Sequence, residues 1–245
     1  MRDIQIRIWQ KLRRFYLLDI DRSKAILLII IGIALALRLI YFVGMGPRDD
    51  IAYISNVKSL YSGHFNLPEA KSGWSSALGF RMMVYLPVYI CWKLFGISEP
   101  ASCFYFFMMS LVHVVAGYGL GRVLYGRSEG LIAAFLLALV PMDVVFSSQI
   151  MPDLPQAAIS GAAILFFVLG SRKKNMAAFA GCGALLALSI MTKEFSVIYI
   201  VILGFFAMAE ILNREITYSE LGRGMTVIAA ATFLVGSLFW LPYII

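Results

Sequence analysis

The chain has 245 residues, 61% of them hydrophobic and only 14% charged, with 21 Lys and Arg against 14 Asp and Glu. An average soluble domain carries roughly 25% charged residues, so the composition excludes an ordinary soluble protein and describes an all-α, polytopic helical membrane protein. The net charge of +7 calls for no nucleic-acid partner, because basic residues at span ends orient a chain in its membrane.

Residues 1–23 hold Arg2, Arg7, Lys11, Arg13, Arg14 and Arg22, with Ile4, Ile8, Leu12, Phe15 and Tyr16 near helical spacing. They read as a cytoplasmic basic amphipathic segment lying on anionic lipid. No small-residue cleavage site follows the next apolar run, so a cleavable signal peptide is not indicated. Apolar runs at 24–43, 99–123, 130–147, 154–170, 176–192, 196–212 and 224–245 approach the ~20 residues needed to cross a bilayer. An eighth run, "LGFRMMVYLPVYICWKLFG" (78–96), is interrupted by Arg81, Pro87 and Lys93. If it does not cross, the N-terminal cations, Arg122, Arg127, Arg172, Lys173, Lys174, Arg214 and Arg223 all face the inside. If it does, "SRKKN" (171–175) is carried outside. The positive-inside rule favours the first arrangement. About seven transmembrane helices are therefore expected within a module spanning 24–245, with interfacial helices in a long first outer loop, 44–98.

That topology places several ionisable side chains on one face. Asp49 and Asp50 follow the first span, Asp153 lies in "SSQIMPDLP" (147–155), and Lys193 ends the fifth span. Ionisable groups at membrane depth point to function by default. Ile51, Ile54, Val57 and Tyr61 fall near helical spacing, so an interfacial helix is expected between Pro47 and Gly63. Asp49 could simply cap it, a contribution of about 1 kcal/mol. Asp153 could likewise cap the fourth span, and Lys193 could snorkel to the lipid boundary. Arg38 reads as structural, pairing with a loop carboxylate or snorkelling, and Asp143 as a lining residue or local cap. His64 and His113 have no partner at metal spacing. Cys91, Cys103 and Cys182 show neither metal nor redox spacing and read as small packing residues.

Several stretches together carry a resemblance. "ALALRLIYF" is followed by "DDIAYISNVKSLYSG", then "KLFGISEPASCFYFFMMSL", "GRVLYGRSEGLIAAFLLALVPMDVVFSSQIMPDLP" and "GALLALSIMTKEF". The order resembles the N-terminal membrane module of GT-C superfamily glycosyltransferases, notably protein O-mannosyltransferases and the aminoarabinose and RgtA-like transferases. Asp49, Asp50, Tyr53, Leu60 and Gly63 match the family pattern of an outer-loop Asp-Glu pair, a Tyr three residues on and a turn ending in Gly. Asp50 departs from it, standing where relatives carry Glu. The resemblance implies transfer of a sugar from a polyprenyl-phosphate donor to a lipid, glycan or protein acceptor at the outer face of the membrane; with no N-x-S/T sequon in the outer loops, a prokaryotic plasma membrane is the expected location. The resemblance also implies Asp49 as general base, with Asp50 and Asp153 as further catalytic acids. Tyr53, Arg81 and Lys193 are the expected substrate-binding residues, Lys193 and secondarily Arg81 for the carrier phosphate. Inverting transfer needs a base for the acceptor hydroxyl and cationic donors for the leaving phosphate, which these residue types supply.

Some members of the superfamily use a divalent metal and others none; Asp49 and Asp153 would be the candidate ligands, and the residues leave both options open. A transporter or flippase for a lipid-linked or anionic substrate is the alternative, disfavoured by the lack of an inverted repeat and by acids gathered at one face rather than the midplane. A non-catalytic subunit that keeps the fold is a third reading. The chain ends at "FWLPYII", where relatives continue with further spans or a soluble domain, so either a minimal module or part of a longer protein is expected.

Overall fold

A computed structural model describes residues 22–46, 49–63 and 81–244, with side chains to residue 239. The amphipathic segment expected before residue 22 lies outside the described residues, as do Pro47, His64 and the start of the 78–96 run.

Every regular element among the described residues is helical, with no strand. In chain order these are α1 (Arg22–Ile40), α2 (Asp49–Tyr61), α3 (Met82–Phe95), α4 (Glu99–Leu124), α5 (Arg127–Leu139), α6 (Pro141–Phe146), α7 (Asp153–Lys173) and α8 (Met176–Thr192). A 3-10 turn, Glu194–Val197, then leads into α9 (Ile198–Leu212) and α10 (Tyr218–Ile244). Local signals account for several boundaries. Ser98 caps α4 by accepting the amide of Ala101, with Pro100 in the first turn. Asn175 caps α8 by accepting the amides of Ala177 and Ala178. Pro141 lacks the N–H that would continue α5, and the helix ends two residues earlier.

Five helices among the described residues are long and apolar enough to cross a membrane: α1, α4, α7, the 194–212 stretch and α10. They fall on five of the seven expected spans. The other two are helical but shorter. The 130–147 run is broken at Val140 into α5 and α6, and α8 has 17 residues. At 1.5 Å per residue, 14-residue α3 reaches only about 21 Å, short of a ~30 Å hydrocarbon core.

Three clusters of buried apolar side chains hold these helices. Ile30 and Ala34 of α1 meet Val114 and Tyr118 of α4 and Ala134 and Ala138 of α5. Phe167 of α7 packs on Phe179 of α8, with Leu203 of α9 and Ile228 of α10 in the same cluster. The third cluster builds one end of the molecule: Tyr53 and Val57 of α2, Val84, Val88 and Trp92 of α3, Phe106 of α4 and Ile150 of the loop after α6. Small residues permit the closest crossings, as at many membrane helix pairs. A Cβ on Gly121 of α4 would stand 2.9 Å from the Gly130 Cα of α5. One on Gly183 of α8 would run into the Ile228 carbonyl of α10. Cys91, Cys103 and Cys182 are free and buried, as packing residues should be.

Candidate active site

The third cluster supports a patch of charge contributed by four stretches remote in sequence. Asp49 and Asp50 open α2, where acidic residues suit the positive end of the helix. Asp49 is exposed. Asp50 turns inward and is 3% exposed. Its carboxylate accepts the amide of Ile150 at 2.9 Å and that of Gly46. Burial nevertheless holds the Asp50 carboxyl above the usual carboxylate range, against the downward pull of these two amides. The loop that supplies Ile150 is itself fastened: Ser148 accepts the amide of Val43 at 3.1 Å, and its carbonyl accepts the Cys103 thiol at 2.9 Å.

One turn after Asp49, the Tyr53 side chain is fully buried. Its hydroxyl accepts Nη1 of Arg81 at 2.8 Å. The same guanidinium donates Nη2 to Glu194 Oε1 at 2.6 Å and Nε to Oε2 at 3.0 Å, a two-pronged pair of the strongest geometry. Burial alone would lower the Arg81 pKa, but Glu194 and Tyr53 together hold it above its ordinary value. Burial raises the Tyr53 hydroxyl, against the opposing effect of Arg81. Asp49 and Glu194 both act electrostatically on Tyr53, which places all four groups in one neighbourhood.

The fourth stretch is the break between α8 and the 3-10 turn. Lys193 has extended backbone, φ −158° and ψ 128°, so consecutive side chains leave it in opposite directions. Lys193 Nζ pairs with Asp153 Oδ1 at 2.6 Å, while Glu194 goes to Arg81. Buried serines fix the break from beneath. Ser160 and Ser189 are hydrogen-bonded at 2.6 Å, Ser189 Oγ lies 2.8 Å from Ser196 Oγ, and the Ser196 hydroxyl donates to the Ser189 carbonyl.

All six residues singled out in the sequence are thus placed. Tyr53 and Arg81 touch, Asp153 and Lys193 touch, Asp50 is tied to backbone amides, and Asp49 stands open beside them. Pro152, not Asp153, stands at the N-cap of α7; Asp153 is the first residue of the helix and its side chain bonds Lys193. Arg81 was expected as a phosphate ligand; here its guanidinium is committed to Glu194 and Tyr53. Sequence reasoning passed over Glu194. Its signal was the adjacent "KE", two opposite charges at a span end, but nothing in one dimension pairs Glu194 with a residue 113 positions away. A second polar group lies deeper. Arg38, fully buried, donates to Ser110 Oγ at 2.6 Å and to the carbonyls of Ala34 and Ala138. The nearby Asp143 carboxylate meets His113 Nδ1 at 2.7 Å. Arg38 neither snorkels nor reaches a loop carboxylate, and its buried Nη2 has no hydrogen-bond partner among the described residues.

Among the described residues no group of three or more His, Cys, Asp or Glu gathers as a metal site, and Asp153 is already taken by Lys193.

The family model for dolichyl-phosphate-mannose-protein mannosyltransferases matches residues 82–240. The chain belongs to this family. Membership makes it a GT-C-type glycosyltransferase of the membrane, related to mannosyltransferases. The match takes in Asp153, Lys193 and Glu194; it begins one residue after Arg81 and does not reach α2, with Asp49, Asp50 and Tyr53. A search of curated proteins finds no match, and neither does a search of solved structures.

Proposed function

We propose that this family member transfers a sugar from a polyprenyl-phosphate donor to an acceptor hydroxyl at the outer face of the membrane, with inversion and with Asp49 as general base. The supporting observation is an uncommitted carboxylate on α2 together with a lysine, with N–H groups to spare, on the stretch that the Glu194–Arg81–Tyr53 contacts tie to α2. Among the described residues Asp49 is exposed and holds neither a hydrogen bond nor an ion pair. Asp50, Asp153 and Glu194 are each engaged. Lys193 uses one of its three ammonium donors on Asp153, and the others are available to a phosphate oxygen.

In this reading the acceptor hydroxyl gives its proton to Asp49 as its oxygen bonds the anomeric carbon. The bond from that carbon to the phosphate oxygen breaks on the opposite side, and the electron pair leaves with the polyprenyl phosphate. One displacement inverts the centre. Lys193 meets the charge that builds on the phosphate. In the same reading Asp153, 47% exposed at its side chain and paired with that lysine, accepts a sugar or acceptor hydroxyl. Asp50 holds the start of α2 in register, and Arg81 fastens Tyr53 rather than binding the donor.

The test is transfer by protein reconstituted in membranes, over a panel of labelled polyprenyl-phosphate sugars with a simple alcohol as acceptor. Asp49→Asn should lower turnover at least about 100-fold, the scale of a lost general base, while donor binding and thermal stability persist. A wild-type protein that neither binds nor turns over any such donor overturns the reading.

A further inference from the structure

We propose that Glu194 is a positioning residue for this transfer: through Arg81 it holds Tyr53, and with it the turn of α2 that carries Asp49, in register with Lys193. The inference rests on the reading above and adds a residue that neither the sequence nor the family match assigns.

The linkage is continuous. Glu194 grips Arg81 with both carboxylate oxygens, at 2.6 and 3.0 Å, and Arg81 passes its remaining terminal nitrogen to Tyr53 at 2.8 Å. Asp49 and Tyr53 are four residues apart on one helix and so share a face. On the other side, Glu194 is covalently next to Lys193, whose extended backbone sends the two side chains opposite ways. Base and cation, 144 positions apart in sequence, are therefore joined by one turn of α2, two hydrogen-bonded contacts and one peptide bond. The Tyr53 and Arg81 ends of the linkage are buried, at 0% and 8% exposure, and the half-exposed Glu194 is held by the two-pronged geometry of its pair.

The arrangement suits positioning better than bulk stability. α2 has separate anchors in Asp50 and in the packing of Val57 against α3 and α4. Removing the Glu194 charge leaves those anchors in place but frees the guanidinium, with Asp49 as another carboxylate in the same patch. Reactions of this kind are sensitive to small displacements, and a 1 Å misplacement costs roughly 100-fold in rate. Because Lys193 keeps its own partner, donor binding should be spared.

The experiment compares wild type, Glu194→Gln, Arg81→Gln and the double variant, using whichever polyprenyl-phosphate sugar the wild type turns over and a simple alcohol acceptor. Glu194→Gln is expected to lower kcat about 10- to 100-fold, with the donor KM within about twofold and thermal stability within a few degrees. The double variant should be no slower than Arg81→Gln alone, since residues acting through one another are not additive. Tyr53→Phe should likewise be non-additive with Glu194→Gln. Additive losses in kcat, or a donor KM that rises with the fall in kcat, would assign Glu194 a direct substrate contact and overturn the proposal. So would a kcat loss that merely tracks lost thermal stability, or no loss at all. If Glu194→Gln does not fold, Glu194→Asp carries the same comparison: it keeps the charge but sits one methylene too far to grip Arg81 with both oxygens. The controls separate the two ideas. Turnover by wild type that vanishes in Asp49→Asn upholds the transferase whatever Glu194 does.

Discussion

Asp50 and Asp49 are neighbours with the same side chain, yet folding gives them different work. Asp50 satisfies two backbone amides, one from Ile150 in a loop 100 residues away. Asp50→Ala leaves the buried Ile150 amide unpaired and should cost about 1–3 kcal/mol, measured by unfolding in detergent. Asp50→Asn should recover only part of this, because its NH2 group must face one of two N–H donors. The pH dependence follows from burial. The folded chain holds the Asp50 proton more tightly than the unfolded chain, whose value is near 3.8. This contribution to stability is therefore complete below about pH 3.8 and is lost as pH rises through the raised folded value. Asp50→Asn cannot titrate and should flatten that part of the stability profile; an unchanged profile would assign the slope to other groups.

Whole helices are placed by small residues and by polar ties that replace missing backbone partners. Where Pro141 ends α5, the freed carbonyl of Ala138 accepts from Arg38 of α1 at 3.2 Å. One buried arginine thus joins α1, α4 and α5. The α4–α5 crossing depends on Gly121 and Gly130, where added atoms would meet backbone rather than a yielding side chain. Gly130→Val should destabilise by about 1–3 kcal/mol as an overpacked contact. Val at Gly161, where nothing lies within 4 Å of an added Cβ, should have a much smaller effect in the same unfolding assay. Equal effects at the two positions would mean that the crossing tolerates expansion.

Across the whole molecule, charge is sorted by end. Asp49, Tyr53, Arg81, Asp153, Lys193 and Glu194 gather at one end. Arg172 and the Lys174–Glu220 pair lie at the other end of α7, about 20 residues or ~30 Å along a helix. The positive-inside reading places Lys174 in the cytoplasm and Asp49 outside. A single cysteine introduced at Asn175 should then be labelled by an impermeant thiol reagent only in inverted vesicles, and one at Ser62 only in right-side-out vesicles. The three native cysteines are buried, so background labelling should be low. Labelling of both positions from one side would remove the topology on which an outer-face active site rests.

Long apolar runs, capping serine and asparagine and a helix-ending proline are local, so the helical class, five of the expected spans and the α2 helix were legible in one dimension. So were the residue types at the site, because ionisable groups beside a membrane are costly and stand out. Their partners were not. Lys193 with Asp153 and Arg81 with Glu194 are separated by 40 and 113 residues, and no periodicity links them. The sequence by itself determined that the chain would form apolar helices of membrane-crossing length and where ionisable residues interrupt or flank them, through hydrophobicity and local backbone chemistry. Only the tertiary structure decided that Asp50 is consumed by backbone amides, that Arg81 is held by Glu194 and that Asp49 takes no partner among the described residues, because those outcomes depend on which distant groups packing brings within hydrogen-bond reach.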